Sequence, residues 1–193
     1  RQSLEMITVL NGPNTLEVSH ASRNLARALQ ARGELDSSAD LYRRCLEIRL
    51  AKLKPDDQRV RLAHADFTTI MLAQLERDGR LADARTIREE LDAGPVSRVR
   101  ASDAVARGLM QTGRWTDAAT LLDGAIGLAE ETGTTNELGS LRVARAACAA
   151  ELDDFVLAED LLASSTPRPG DQAAASDHAL VVDPAPHDRQ VAF

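Results

Sequence analysis

The chain has 193 residues, of which 44% are hydrophobic but only 3% are aromatic. Its formal net charge of −7 disfavours bulk binding to nucleic acid or to an anionic membrane surface. This length suits one ordinary domain or a short array of repeats, and a composition dominated by Ala, Leu and Arg favours helices over a sheet. No stretch approaches the ~20 consecutive apolar residues that a membrane-spanning helix needs.

The N-terminal part of the chain is predicted to contain the end of one helix and then a pair of helices. Residues 1–10 are helical, and residues 11–17 form a loop that contains Gly12 and Pro13. Two amphipathic runs follow over about 18–31 and 36–53, with a turn at Gly33 between them. The apolar stripes of the two runs consist of Leu25, Ala26 and Leu29, and of Leu41, Tyr42, Cys45, Leu46 and Ile48.

Three further helix pairs are predicted along the sequence. They span about 58–77 with 82–92, 97–111 with 116–131, and 137–151 with 154–164, and a loop covers 132–136. The first helix of the second pair should be four residues longer than its counterpart in the first pair. Gly94 and Pro95 close the second pair. Gly124 and Gly127 each cost about 1 kcal/mol relative to Ala inside a helix, which indicates close contact with another helix.

Fixed spacings indicate that these pairs are copies of one unit. The run from Ser3 to Met6 returns 42 residues later as the run from Cys45 to Ile48. With the turn residue as reference, four positions hold residues of a similar kind in every repeat, and we call each such set of equivalent positions a column. They are the turn (Gly33, Gly79, Gly113, Asp153), a large apolar residue two positions later (Leu35, Leu81, Trp115, Phe155), a small residue five positions later (Ser38, Ala84, Ala118, Ala158), and an apolar residue four positions earlier (Leu29, Leu75, Leu109, Ala149).

The columns predict how the units pack. The small residue should mark a close approach of two helices, and the large residue should fill the gap between neighbouring pairs. One helix pair cannot bury its apolar face alone, so the copies are expected to stack into an array.

These columns resemble the tetratricopeptide repeat (TPR) family, in which Tyr42 and Cys45 match the aromatic and small positions of the second helix. The 42-residue unit is similar to the kinesin-light-chain variety of the repeat, and similar repeats follow the kinase domain in many bacterial serine/threonine kinases. The resemblance implies an all-α, right-handed α-solenoid of antiparallel helix pairs with a concave binding face.

The predicted domain organisation is an array followed by a tail. The array covers residues 1–165, with a partial repeat at 1–17 and repeats at about 18–57, 58–96, 97–136 and 137–165. Because the sequence opens inside a second helix, we expect it to be a fragment of a longer protein. Residues 166–193 hold four of the seven prolines and no helical period, which predicts a disordered tail. The run from Ala179 to Val182 is either ordinary tail or a docking motif.

The sequence contains no motif for catalysis, phosphate binding or a metal site, so we expect neither an enzyme nor a cofactor. His20 and His64 open helices and are interpreted as solvated residues, whereas His178 and His187 belong to the tail. Cys45 and Cys148 fall at small positions inside helices, so both are expected to be buried, reduced thiols, which indicates a cytoplasmic location.

The resemblance also implies a partner-binding groove. In TPR proteins the groove is lined by first-helix residues that point away from the second helix. The positions carried over to this protein are Arg23, Arg27, Gln30, Thr69, Arg77, Arg100, Asp103 and Arg107. Arginine side chains bind carboxylates in bidentate geometry, so the expected guest is an acidic peptide or the C-terminal carboxylate of another protein. The alternative is that these arginines are solvated and form ion pairs within the array.

Three functions remain open on the sequence. The first is a protein-interaction scaffold that binds a peptide or a partner domain in the concave groove. The second is a regulatory C-terminal segment of a bacterial serine/threonine kinase or another signalling protein. The third is a repeat-built enzyme or small-ligand sensor, which would need convergent polar groups inside the array. Self-association through exposed ends of the solenoid is also expected.

Overall fold

A computed structural model describes residues 2–80 and 84–165, and these residues form nine α-helices and no strand. The helices are α1 (Gln2–Asn11), α2 (Leu16–Ala31), α3 (Leu35–Lys52), α4 (Gln58–Arg77), α5 (Ala84–Ala93), α6 (Pro95–Gln111), α7 (Trp115–Thr132), α8 (Thr135–Glu151) and α9 (Phe155–Ser165). The all-α fold is that of a helical repeat solenoid, as the sequence predicts. Leu81, the predicted tail, its two histidines and the run from Ala179 to Val182 lie outside the described residues.

Helix ends differ from the sequence prediction by a few residues. The predicted loops at 11–17 and 132–136 are too long, because α2 already begins at Leu16 and α8 at Thr135. Gly133 ends α7 with a left-handed φ of 67°, so a two-residue connection suffices. Pro95 is the first residue of α6, a position where its missing N–H costs nothing. The prediction for α4 is confirmed, since it has 20 residues and α2 has 16.

The turn column has a shared backbone geometry. Gly33, Gly79, Gly113 and Asp153 have φ values of 77°, 66°, 74° and 61°. The amide that follows each of them donates to the carbonyl four residues before the turn, with N···O distances of 2.8–3.0 Å, as from Glu34 to Leu29. Glycine reaches this left-handed region without strain, and Asp is among the few other residues found there. The column therefore marks the motif that ends a first helix.

The small and large columns give different results. Ser38 and Ala118 are fully buried, and the Ser38 hydroxyl donates to the Ala26 carbonyl at 2.9 Å, so the predicted close approach is confirmed there. Trp115 is half-buried and packs against the core. Phe155 is 61% exposed, so the prediction that it fills a gap between pairs is wrong. Within the described part of the protein, no helix follows α9 to cover it.

Most neighbouring helices pack in sequence order, but α4 and α5 are an exception. The first helix lies against the next helix in the pairs α2–α3, α6–α7 and α8–α9. Helix α4 instead runs antiparallel to α7, with an ion pair between Arg61 and Glu131 near one end and a 2.7 Å hydrogen bond from Arg114, just before α7, to Gln74 near the other. Helix α7 also contacts α3, and α5 packs mainly on α6.

Small residues of α7 make this contact possible. A Cβ atom on Gly124 would lie 2.3 Å from Cδ2 of His64, and one on Gly127 would lie 3.1 Å from Cβ of Pro55. The predicted close contact with another helix is confirmed for Gly124, whereas Gly127 instead approaches Pro55 in the connection between α3 and α4. The described part of α5, from Ala84 to Ala93, has ten residues and buries Ile87 and Leu91 alone, so it offers α4 much less surface than the 18-residue α7.

Both cysteines are buried, whereas the two end helices of the array expose apolar side chains. Cys45 and Cys148 are free thiols, as predicted, and burial raises the pKa of the Cys148 thiol to about 11. The exposed apolar residues are Met6, Val9 and Leu10 on α1, and Phe155, Val156 and Leu162 on α9. Self-association through these apolar ends stays a prediction.

Candidate interaction surface

Polar contacts join the first helices of successive units in sequence order. Arg23 of α2 pairs with Asp66 of α4. Thr68 of α4 and Ser102 of α6 have their hydroxyl oxygens 3.5 Å apart. Arg100 of α6 donates to Glu137 of α8 at 3.3 Å. The eight residues predicted for the groove therefore lie on adjoining helices, and we call them the first-helix set: Arg23, Arg27, Gln30, Thr69, Arg77, Arg100, Asp103 and Arg107.

Arg23 is tied into the array more tightly than the other arginines of the set. Its Nε donates to Oδ2 of Asp66, and both side chains are more than two-thirds buried. The hydrogen bond from the Asp66 carboxylate raises the pKa of Arg23 above its ordinary value, against the opposing effect of burial. Arg23 is thus part of the α2–α4 packing.

Three other arginines form exposed ion pairs. Arg77 lies between two carboxylates, at 3.1 Å from Asp36 and 2.9 Å from Asp78. Arg100 pairs with Glu137, and Arg107 pairs with the residue one turn earlier, Asp103, at 3.0 Å. About half of each arginine side chain stays exposed to solvent. Ion pairs of this kind contribute on the order of 0–1 kcal/mol, so a carboxylate from outside can replace the internal partner.

The remaining members of the first-helix set differ in their contacts. Arg27 is exposed, and it makes no ion pair or hydrogen bond with any residue that the structure describes. Gln30 accepts a 3.0 Å hydrogen bond from the hydroxyl of Tyr42, whose pKa is raised to about 12 by burial and by the charge of Asp66. Thr69 is exposed and donates to the Ala65 carbonyl.

Asp103 has one satisfied and one unsatisfied oxygen. Its Oδ2 accepts from Arg107, whereas Oδ1 is buried and has no hydrogen-bond partner within residues 2–80 and 84–165. The sequence left open whether these arginines pair within the array or stay available to a guest. Four arginines of the set form internal ion pairs, and Arg27 forms none with the described residues. A role of the set in partner binding stays a prediction.

His64 is not the solvated residue that the sequence analysis predicts. It lies in the second turn of α4, is 2% exposed, and its Nε2 is 3.1 Å from the carbonyl oxygen of Leu121 in α7. Burial lowers the pKa of His64 to about 4, although the Leu121 carbonyl opposes the shift. The neutral ring is therefore a structural element of the α4–α7 contact. His20 is exposed, as predicted.

A cavity of about 710 Å³ lies beside α1, α2 and α3, and the sequence analysis does not predict it. Its wall includes the buried side chain of Arg49 together with His20, Ser19 and Arg59. A signal was present in the sequence, because Arg49 follows Tyr42, Cys45 and Leu46 at helical spacing and so occupies a core position of α3. A charged residue on an apolar stripe is expected to have a polar or charged partner in the folded protein.

Neither a metal-ligand cluster nor a membrane-spanning helix occurs in the described part of the protein. In the ranges 2–80 and 84–165, no three His, Cys, Asp or Glu residues come together as metal ligands do. In the same ranges, no helix has the length and hydropathy required to cross a membrane.

The family comparison gives a match to one part of the protein. A family model described as tetratricopeptide repeat matches residues 20–59, which include most of α2, all of α3 and the start of α4. The match supports a TPR-type repeat protein, and TPR repeats generally mediate protein–protein interaction and are typically non-catalytic. No curated protein matches the sequence.

Proposed function

We propose that the protein is an interaction scaffold that binds an acidic peptide, or an acidic surface of a partner domain, with the first-helix set. The observation that carries the proposal is Arg27, an exposed arginine without a partner among the described residues, on a helix of the matched repeat. In an acidic protein such a cation is a specific point of attachment for a carboxylate.

The neighbouring arginines extend the surface. Arg77, Arg100 and Arg107 have about half of their side chains exposed and hold their partners only by surface ion pairs. Exchange of an internal carboxylate for one on the guest costs little, because such pairs contribute about 0–1 kcal/mol. A guest with several acidic residues can therefore contact several of these arginines at once.

A selection from random peptides tests the proposal on the 193-residue protein. We expect the enriched peptides to be acidic, and we expect the double variant Arg27→Glu with Arg100→Glu to bind them at least tenfold more weakly in fluorescence anisotropy. The matched control is Arg85→Glu, which reverses a charge on α5 that is 93% exposed and pairs with Glu89. This control should retain the affinity.

Three results would contradict the proposal. The first is the enrichment of basic or uncharged peptides, and the second is unchanged affinity in a double variant whose circular dichroism shows that it is folded. The third is a selection that enriches nothing, which would count against peptide binding.

A regulatory role is the alternative that the TPR resemblance implies. A kinase or another signalling domain would then be the guest, and the first-helix set would bind that domain instead of a free peptide. The coding sequence that adjoins this segment tests the alternative through the presence or absence of kinase motifs. Both free thiols are buried, which supports the inferred cytoplasmic location.

A further inference from the structure

We infer that the cavity beside α1, α2 and α3 binds a small organic anion, with a carboxylate or phosphate group held by Arg49 and an apolar body against α1 and α2. None of the eight members of the first-helix set lines this cavity. The inference is therefore independent of the proposed peptide binding.

Arg49 carries the argument because it is a buried cation that forms no ion pair with any residue that the structure describes. It is 5% exposed, yet no carboxylate of the described residues forms an ion pair with it. Its Nε donates to the Ser19 hydroxyl at 2.9 Å, and its Nη1 donates to the Arg59 carbonyl at 2.6 Å. These neutral acceptors use two of the five N–H groups of a guanidinium that stays charged at any accessible pH. A buried charge without an anionic partner is unfavourable, so an anion in the cavity would stabilise it.

Asp57 interacts with Arg49 only weakly through its charge and forms no ion pair with it. Both oxygens of Asp57 are occupied by Arg59, whose Nε and Nη2 donate to Oδ1 and Oδ2 at 3.0 and 2.8 Å. This pairing lowers the pKa of Asp57 to about 2. Glu17 also lines the cavity but forms no ion pair with Arg49.

The rest of the wall fits an amphiphilic guest. Ile7 of α1 and Leu16, Ala21 and Leu25 of α2 supply an apolar surface, whereas Ser19, His20 and Asn24 add polar groups near Arg49. A volume of about 710 Å³ lies within the range of about 300–1,000 Å³ that small-molecule sites have. An apolar wall with few convergent polar groups is the usual composition of such sites.

Titration calorimetry with four probes tests the inference on the 193-residue protein. The probes are sodium octanoate, octyl phosphate, octan-1-ol and inorganic phosphate. We expect octanoate or octyl phosphate to bind. Octan-1-ol, which has no anionic group, and inorganic phosphate, which has no apolar body, should bind at least tenfold more weakly. The comparison of octanoate with octyl phosphate identifies the anionic group that the site prefers.

Two variants and one control locate the binding. Arg49→Gln removes the cation and should lower the affinity for the tighter-binding probe at least tenfold. Ala21→Leu fills the cavity while Arg49 stays in place, and it should lower this affinity by the same factor. Arg44→Gln is the control, since Arg44 is on the same helix but contacts the Pro13 carbonyl outside the cavity. Thermal unfolding shows which variants are folded. If Arg49→Gln is unfolded, the result with Ala21→Leu decides the test.

Three outcomes overturn the inference. The first is that none of the four probes binds. The second is that octan-1-ol binds as tightly as the two amphiphilic anions, which would remove Arg49 from the recognition. The third is that folded Arg49→Gln or Ala21→Leu retains the affinity of the control, which would place the bound anion elsewhere.

Discussion

Helices α3 and α5 follow the same kind of turn but are very different parts of the molecule. Each follows a glycine in the left-handed region, Gly33 before α3 and Gly79 before α5. Helix α3 then runs for 18 residues and buries Tyr42, Cys45 and Leu46 among others, whereas α5 has ten residues and buries two. Two helices that follow the same kind of turn thus pack differently, since α3 lies mainly against α2, its own first helix, whereas the described part of α5 lies mainly against α6.

Truncation of one buried side chain in each helix tests this difference and should give the largest change in the free energy of unfolding. Leu46→Ala in α3 should lower the free energy of unfolding by about 4 kcal/mol, because Leu46 is fully buried in the main core. Ile87→Ala in α5 should cost about 2 kcal/mol, since Ile87 keeps 6% of its surface exposed to solvent and lies in a helix with little other buried surface. Urea unfolding of both variants measures the two values. Equal losses would mean that α5 is as much a part of the core as α3.

Acidification tests the contact of α4 with α7, the helix that takes the place expected for α5. Because the pKa of His64 is about 4 in the folded protein and about 6.5 in the unfolded protein, the unfolded state binds the proton first as pH falls. Stability due to this residue is thus complete above pH 6.5 and is lost towards pH 4, by about 2 kcal/mol between pH 7 and pH 5.

Urea unfolding at pH 7 and pH 5 measures this loss against suitable variants. His64→Gln should remove the part of the pH dependence that belongs to His64, and His20→Gln, at an exposed position of α2, should leave the dependence unchanged. An identical pH dependence in His64→Gln and the parent protein would show that the buried ring does not carry the effect.

Substitution of Gly124 tests the same contact with the smallest expected effect. Gly124→Ala should destabilise the protein by about 1–2 kcal/mol, because the added Cβ meets the His64 ring at 2.3 Å and this cost exceeds the gain in helix propensity. Gly139→Ala in α8 is the control, since its Cβ would meet only the Ser165 carbonyl at 3.4 Å. The control should be neutral or stabilising in thermal unfolding, and a stabilised Gly124→Ala would refute the close approach of α4 and α7.

Local sequence patterns predict the helices and turns of this molecule. Features that depend on contacts between residues distant in sequence could not be predicted. The columns around Gly33 and Asp153 locate the turns, since they depend on residues a few positions apart. The burial of His64 could not be predicted, because its partner Leu121 is 57 residues away and belongs to a helix expected in another unit. The ion pair of Arg23 with Asp66 depends in the same way on the register of two helices. Arg49 was visible as a charge on an apolar stripe, but its cavity was not.

The pairing of α4 with α7 has a consequence for the order in which the protein folds. Where each helix packs only on the helices next to it in sequence, folding can proceed as the helices leave the ribosome. Here Arg61 meets Glu131, 70 residues further on, and α4 keeps an uncovered apolar side until α7 has been synthesised. Contacts so distant in sequence slow folding, because a long loop must close before they form. The nascent protein should therefore expose an apolar surface for several seconds at about 5–20 residues per second, and this surface is a natural substrate for chaperones.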